Sequence, residues 1–527
     1  MELLAALPRL GEDDVLAVPV GSGAALPPWL TSPAPGTPAP VPVRLLAGAL
    51  ADTGNTGRPG AVTNLPVPGR RPRSVVAVGL GDGTLPHLRG YVATAVRRAQ
   101  TLAEHGATRL VLPLDAALAP AGASEVRAAV EAAQLAGYRF RESSRPHPPR
   151  LATVAVVAAD AGDPAVVDAA RAGRVTGSSV AWARDLVNTP GSTTGPAWLA
   201  DRAAARLAGL PHVTVTVLGP DQLAAGGFGG VLAVGGGSAS PPRLVIASYA
   251  PPGAGAAHPV LVGTGVTYDT GGLSIRRTTG TRGMTTDVAG AAAVLAALDA
   301  AARLGLPVAV TAVVPAAGNA VSGSAHRPGD VVRHVGGRTT EVRDTDAGGR
   351  LLLADALAHA RLHLAATVLV DVATLSGATR VALGGRTAAL YATTDGLAGA
   401  LSTAALHAGE PIWRMPLDRE YAGSLAGDVA DAADVPGAPG GTTAALFLES
   451  FAGDLPWAHL DVAGPGRAST DAAEIVRGGT GHGARTLLRW LEAGAPWKDP
   501  VPPTPRGLGA VPGTGPNPPP TTDRGAL

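Results

Sequence analysis

Cysteine is absent from all 527 residues. That removes a disulfide scaffold, a thiol nucleophile and any thiolate-held zinc or iron–sulfur centre. Any metal in this chain is held by oxygen or by histidine. Aromatic residues amount to 3%, too few for base- or sugar-stacking platforms to dominate a surface. The formal net charge is only +1, which argues against a basic nucleic-acid surface. No charge-free apolar run reaches membrane-spanning length, because the longest candidate, AGAAAVLAAL, stops at Asp299. The opening stretch MELLAALPRLGEDDV has no basic segment ahead of an apolar one, so a secretory leader is not expected. A cytoplasmic protein with no membrane and no nucleic acid among its partners is the expectation. Lysine is nearly missing too: Lys498 is the only one, and arginine carries the positive charge. In such a chain a Lys→Arg exchange says little about lost function, whereas Lys→Thr says more.

What the chain has is apolar mass, 46% of its residues, and alternation. Residues 1–160 alternate strand-like runs (VLAVPV, SVVAVGL, RLVLPL) with helical stretches at 88–104 and 124–136, which predicts a small α/β layer domain for recognition or assembly. A helical linker is expected over 161–195, ended by Pro190 and Gly191. From 196 to 493 the runs VTVTVLG, RLVIASY, PVLVGTGV, VAVTAVVP and ATVLVDVA are rich in valine and nearly continuous. Such runs predict strands buried on both faces, hence a mixed sheet sandwiched by helices such as 289–304 and 350–363. The fold class is therefore α/β, a smaller N-terminal domain followed by a larger C-terminal one. The tail 494–527 is rich in proline and glycine and is expected to be disordered. Gly235-Gly236-Gly237-Ser238 has no GK[ST] ending, so a tight strand-to-strand connection is the better reading than a phosphate loop.

Three aspartates stand where apolar runs meet glycine-containing loops: Asp269 in TYDTGG, Asp287 in TTDVAG and Asp346 in DTDAGGR. Carboxylates gathered at such ends are a basis for a cation site. Asp287, ahead of an Ala-rich helix, has the simpler alternative of a helix cap. With PVLVGTGVTYDTGGLSIRR, RDLVNTP and HRPGD, these segments resemble the leucyl aminopeptidase (cytosol aminopeptidase) family, whose pattern runs VGKG-x-TFDSGG-x-x-x-K, MK-x-D and NTDAEGR. The resemblance covers well over half the chain, to about residue 493.

The resemblance implies a two-metal aminopeptidase fold, a homohexamer, and metal-ligand positions at Asp269, Asp287 and Asp346. It also implies that Arg350 holds a bicarbonate acting as proton shuttle. Three positions depart from the family pattern. Its VGKG lysine, a metal ligand, is Thr264; its NTDAEGR glutamate, which touches both metals, is Gly348; and its second lysine, which polarises the scissile carbonyl, is Arg276. Thr285 also stands where the family usually has lysine. Losing a partner even one shell out typically costs on the order of 10–100-fold in metal affinity or activity, so a full two-metal site is not expected. Two outcomes stay open. The aspartates hold one Mn²⁺ or Mg²⁺ (Zn²⁺ less readily), with Arg276 and Arg350 stabilising an oxyanion, or the arginines neutralise them in a metal-free network. The corresponding functions are an impaired or inactive aminopeptidase, a mononuclear aminopeptidase or amidase, or a non-catalytic hexamer subunit that partners an active paralogue or binds a peptide or amino acid. Met284, Asn319, Thr374, Leu375 and Gly377 match the family's substrate pocket. His326 is read as hydrogen-bonded to backbone and His482 as a packing residue.

Overall fold

The computed structural model describes residues 1–31, 41–67, 71–114, 121–146, 148–276, 283–435, 437 and 439–498. The segment from 499 onward, which holds most of the tail expected to be disordered, lies outside the described residues. Two sheets organise the chain. The first has six strands, all parallel except the edge strand Val62–Pro66. Its central strands Asp14–Gly21 and Ser74–Gly81 are buried along almost their whole length. The helices Leu85–Ala103 and Ala123–Gly137 cover one face. The 25-residue helix Pro164–Asn188 leads out of this layer, with Asp163 capping its start and Pro190 just beyond its end.

The second sheet has nine strands and is mixed. At its centre Trp457–Asp461, Val368–Ala373, Pro259–Gly263 and Val310–Asn319 run parallel, each buried throughout. Apolar cores fill both faces, as near-continuous valine runs require. On one face lies the helix Ala289–Leu304, in which 14 of 16 residues are buried. Apart from Asp299, which is ion-paired to Arg206 and Arg303, it is apolar on nearly every side because it sits between the sheet and the helices Pro164–Asn188 and Ala484–Glu492. Its alanines and Gly290 let it approach closely: a Cβ at Gly290 would lie 2.0 Å from the Val372 carbonyl oxygen.

Two details differ from the sequence reading. PVLVGTGV is two strands, Pro259–Gly263 and Gly265–Asp269, divided at Thr264. There the backbone N–H bonds to Val372 and the carbonyl accepts from Ala291, so the chain steps off one neighbour and continues along Val310–Asn319 alone. The glycine run at 235–237 follows the helix Gly229–Gly235, making it a helix-to-strand connection. A Cβ at Gly237 would lie 2.3 Å from the Ala320 carbonyl oxygen.

The two layers meet through buried charge. Glu131 is fully enclosed and takes Arg89 at 2.7 Å, Arg127 at 3.0 Å and Arg489 at 2.8 Å. Arg89 continues to Glu474, Arg127 to Glu492, and Arg485 joins Glu474 to Glu410. Arg184 is buried beside this network and donates to the carbonyls of Leu135, Glu474 and Thr480.

Candidate functional site

The parallel strands of the larger sheet end on one side, and the polar groups collect there: Thr264, Asp269, Asn319, Thr374 and Asp461 each stand at or just past a strand's carboxyl end. This is where open α/β sheets place their ligands. Asp269 accepts from the Gly271 N–H at 2.9 Å and from Asn319 Nδ2 at 2.8 Å. Asp287 lies in a 3-10 turn ahead of the Ala289–Leu304 helix and makes no capping bond; it accepts instead from Thr374 Oγ1 at 2.6 Å. The cap alternative is thereby excluded. Asp346 sits in a second 3-10 turn held by Asp344, whose Oδ1 accepts the Asp346 N–H at 3.0 Å.

Arg276 joins all three. Its Nη2 lies 2.6 Å from Asp269 Oδ2, Nη1 lies 3.7 Å from Asp287 Oδ2, and Nε bonds to Asp346 Oδ1. Nη1 also rests against the Met284 sulfur. Burial opposes the Arg276 charge, but the aspartates outweigh it and hold the guanidinium protonated more firmly than usual. Burial, together with the neighbouring Asp269 charge, pushes Asp287 up to about 7. Asp269 is also raised by burial, against the pull of Arg276. Among the described residues Asp287 Oδ2 has no hydrogen-bond partner.

Thr264 and Gly348 flank this cluster. The Thr264 hydroxyl is buried without a hydrogen-bond partner among the described residues, and Thr264 lines a cavity of about 30 Å³ with Asp269, Arg276, Asp287 and Asp346. That is room for about one water molecule. Gly348 opens the helix Gly348–His363. A Cβ there would lie 3.2 Å from both Val234 methyls and 3.5 Å from Asn319 Nδ2, so a longer side chain would point towards Asn319 and Asp269 once Val234 yields slightly.

Above the cluster is a cleft of about 890 Å³ lined by Met284, Thr374, Leu375, Gly377 and Arg350, among others. Asn319, expected among them, is not part of its lining; its Nδ2 donates to Asp269 and to the Thr345 carbonyl. Arg350 belongs to the cleft and stands apart from the three-aspartate cluster: Nη1 bonds to the Asp434 carbonyl, Nε has no hydrogen-bond partner among the described residues, and burial lowers its hold on a proton against the pull of Asp434, Asp461 and Asp344. His326 is buried with both ring nitrogens unpartnered among the described residues, which corrects the expectation of a backbone hydrogen bond; burial pushes it down, towards the neutral form. His482 is enclosed and lowered in the same way, with Nε2 unpartnered.

The sequence reading passed over Asp461. Its carboxylate accepts from the N–H groups of Leu375, Ser376 and Ala463 and from Thr379 Oγ1, and so shapes the 374–379 loop beside the site. The signal was present, an aspartate closing an apolar run before glycine in HLDVAG. The histidines of two other carboxylate pairs, His334 with Asp355 and His459 with Asp371, are enclosed in the core.

With this geometry the comparisons fall into place. The model of the cytosol aminopeptidase family's catalytic domain matches residues 181–488, and that of its N-terminal domain matches 43–145. The chain belongs to the cytosol aminopeptidase family. A probable cytosol aminopeptidase of Syntrophotalea carbinolica is 42% identical over 428 residues, covering 79% of this chain and 85% of that protein. One from Streptomyces coelicolor is 40% identical over 474 residues, 85% and 90% of the two chains. Among solved structures, the bottromycin maturation enzyme BotP in complex with Mn superposes with a TM-score of 0.80 at 37% identity, covering 92% of this chain and all of that one. A mutant of tomato leucine aminopeptidase gives 0.81 at 28% identity, over 94% and 96%. The two-domain α/β architecture with a mixed larger sheet is thus a cytosol aminopeptidase fold.

The family is metal-dependent, and the residues here can be tested against a paired-metal centre. Among the described residues no group of three or more His, Asp or Glu side chains is arranged to hold a metal ion. The three aspartates converge on a guanidinium, one flanking position offers a neutral hydroxyl, and another offers no side chain. This donor set does not fit two metals.

Proposed function

We propose that this cytosol aminopeptidase-family member has exchanged its paired metals for an internal counter-ion and is impaired or inactive in releasing N-terminal amino acids from peptides. The observation that carries the reading is Arg276, whose guanidinium meets Asp269, Asp287 and Asp346. Two further features support it: Thr264 and Gly348 stand where the family pattern places a lysine and a glutamate. With the aspartates given to Arg276 and no metal held, nothing generates a hydroxide near neutral pH, and no pair of metals balances the tetrahedral oxyanion. The residues that remain bind and orient: the 374–377 loop and Met284 shape the cleft, and Arg350 presents a positive charge to it.

The second reading, a single-metal hydrolase, draws on the unpartnered Asp287 Oδ2 and Thr264 hydroxyl around the small cavity. It requires Arg276 to swing out. Arg276 then joins Arg350 in facing an oxyanion. A hexameric, non-catalytic subunit role is compatible with the first reading and is separated from it by co-purification with an active paralogue.

The deciding experiment is hydrolysis of dipeptides and aminoacyl amides with added Mn²⁺, Mg²⁺ or Zn²⁺. The native chain is run beside the triple variant Thr264→Lys, Gly348→Glu, Arg276→Lys. A silent native chain and an active variant are expected. Turnover by the native chain that vanishes in Asp269→Ala would overturn the proposal in favour of the single-metal hydrolase.

A further inference from the structure

The aspartates of the cleft have their counter-charge in Arg276, and further arginines line the same cleft. Arg350, Arg380, Arg386 and Arg467 all line the cleft. None of the four has a carboxylate within ion-pair distance among the described residues, although Asp434, Asp461 and Asp344 act on Arg350 from farther off. Arg350 is only 7% exposed, and its Nε has no hydrogen-bond partner among the described residues. Arg467 is weakened in its hold on a proton first by burial and then by its neighbour Arg477, the condition of a guanidinium without a counter-ion. Arg380 and Arg386 flank the Gly384-Gly385 turn, and Ser469 and Thr470 add hydroxyls beside Arg467.

Positive groups crowded into a cleft focus their field on whatever enters it. Guanidinium groups pair with carboxylates in a two-pronged geometry that a point charge does not match. The four are carried on three separate segments: the start of the helix Gly348–His363, the 377–386 turn region and the 463–470 loop. A single small anion has one charge to share among them, whereas a chain with spaced carboxylates offers several. The cleft, at about 890 Å³, is at the upper end of the range for drug-sized ligands, roughly 300–1,000 Å³.

We propose that this arginine wall is a specificity site for the acidic side chains of a short peptide. The inference rests on the preceding section only in taking the cleft as a peptide cleft. Binding needs no turnover, so a chain that hydrolyses nothing still selects acidic peptides.

The test is calorimetric titration of the full chain with the tetrapeptides Ala-Glu-Glu-Ala and Ala-Gln-Gln-Ala, and with free glutarate as competitor. The acidic peptide is expected to bind about tenfold more tightly at low salt, as its two extra carboxylates each make a modest exposed pair. The preference should shrink at about 300 mM salt, where the Debye length falls to a few ångströms. The variant Arg380→Gln, Arg386→Gln, Arg467→Gln should erase the preference and keep the parent's melting temperature. Should that triple variant melt early, Arg386→Gln alone is expected to reduce the preference two- to threefold, roughly one pair's share. Equal affinity for the two tetrapeptides, or a preference that survives the triple variant, would sink the proposal. Competition by glutarate as strong as by the peptide also overturns it, in favour of a free dicarboxylate. Unexpected hydrolysis by the native chain overturns the counter-ion reading and leaves this one standing; equal binding does the reverse.

Discussion

Arg276 and its three aspartates form a cluster whose parts are costly alone. Removing one member of a buried or half-buried ion cluster leaves uncompensated charge and typically costs about 3–5 kcal/mol. Arg276→Met is therefore expected to lower the melting temperature markedly. It also exposes Asp269, Asp287 and Asp346 to each other, so added Mn²⁺ should restore part of the loss in the variant while leaving the native chain unmoved. Differential scanning fluorimetry with and without metal reads both effects. A native chain whose melting temperature rises with Mn²⁺ as much as the variant's would count against the internal counter-ion. Gly348→Glu carries a separate expectation: with Val234 3.2 Å from the new Cβ, the single substitution should cost stability, and pairing it with Val234→Ala should recover much of it.

At the scale of elements, the site depends on how closely the Ala289–Leu304 helix meets the sheet. Its first turn follows Asp287 directly, and Gly290 lies against Val372 and Thr264 with no space for a methyl. Gly290→Ala is expected to push this helix start off the strand ends, with a loss of several kcal/mol, on the order of a severe overpacking change. Chemical denaturation would show it, and an unchanged midpoint would contradict the contact. This helix was legible to the residue from sequence, because an Ala-rich apolar block ends at Gly305 in a left-handed cap. The central buried strands were legible from their valine runs, but VTVTVLG, also expected to be buried, is the edge strand Val213–Leu218 with no buried residue. The break at Thr264 was not, since what splits PVLVGTGV is a hydrogen bond to Val372, more than a hundred residues away, and no local residue announces it. The three aspartates were legible as a set from their strand-end and loop positions. Their convergence on Arg276 was left as one of two outcomes, because sequence spacing does not say which way a long side chain turns.

Over the whole molecule, the network around Glu131 ties the two layers into one unit. Burial alone would raise this carboxyl, but Arg489, Arg89 and Arg127 overcome that and hold it down at about 2. A carboxylate lowered in the folded state contributes stability that is present above its unfolded value, near 4.5, and is lost as pH falls towards 2. Acid unfolding should therefore steepen across that window. Glu131→Gln should flatten it, and should split a single calorimetric transition into two as the layers uncouple. A single unchanged transition in that variant would mean that apolar contacts join the layers unaided. Arg276 does for the site what this network does for the interface, with one difference. A counter-charge tied to the backbone by a covalent stem has no dissociation constant: chelators cannot strip it, dilution cannot release it, and metal starvation does not reach it. On the proposed reading, the abundance of this folded chain is decoupled from the cell's metal supply.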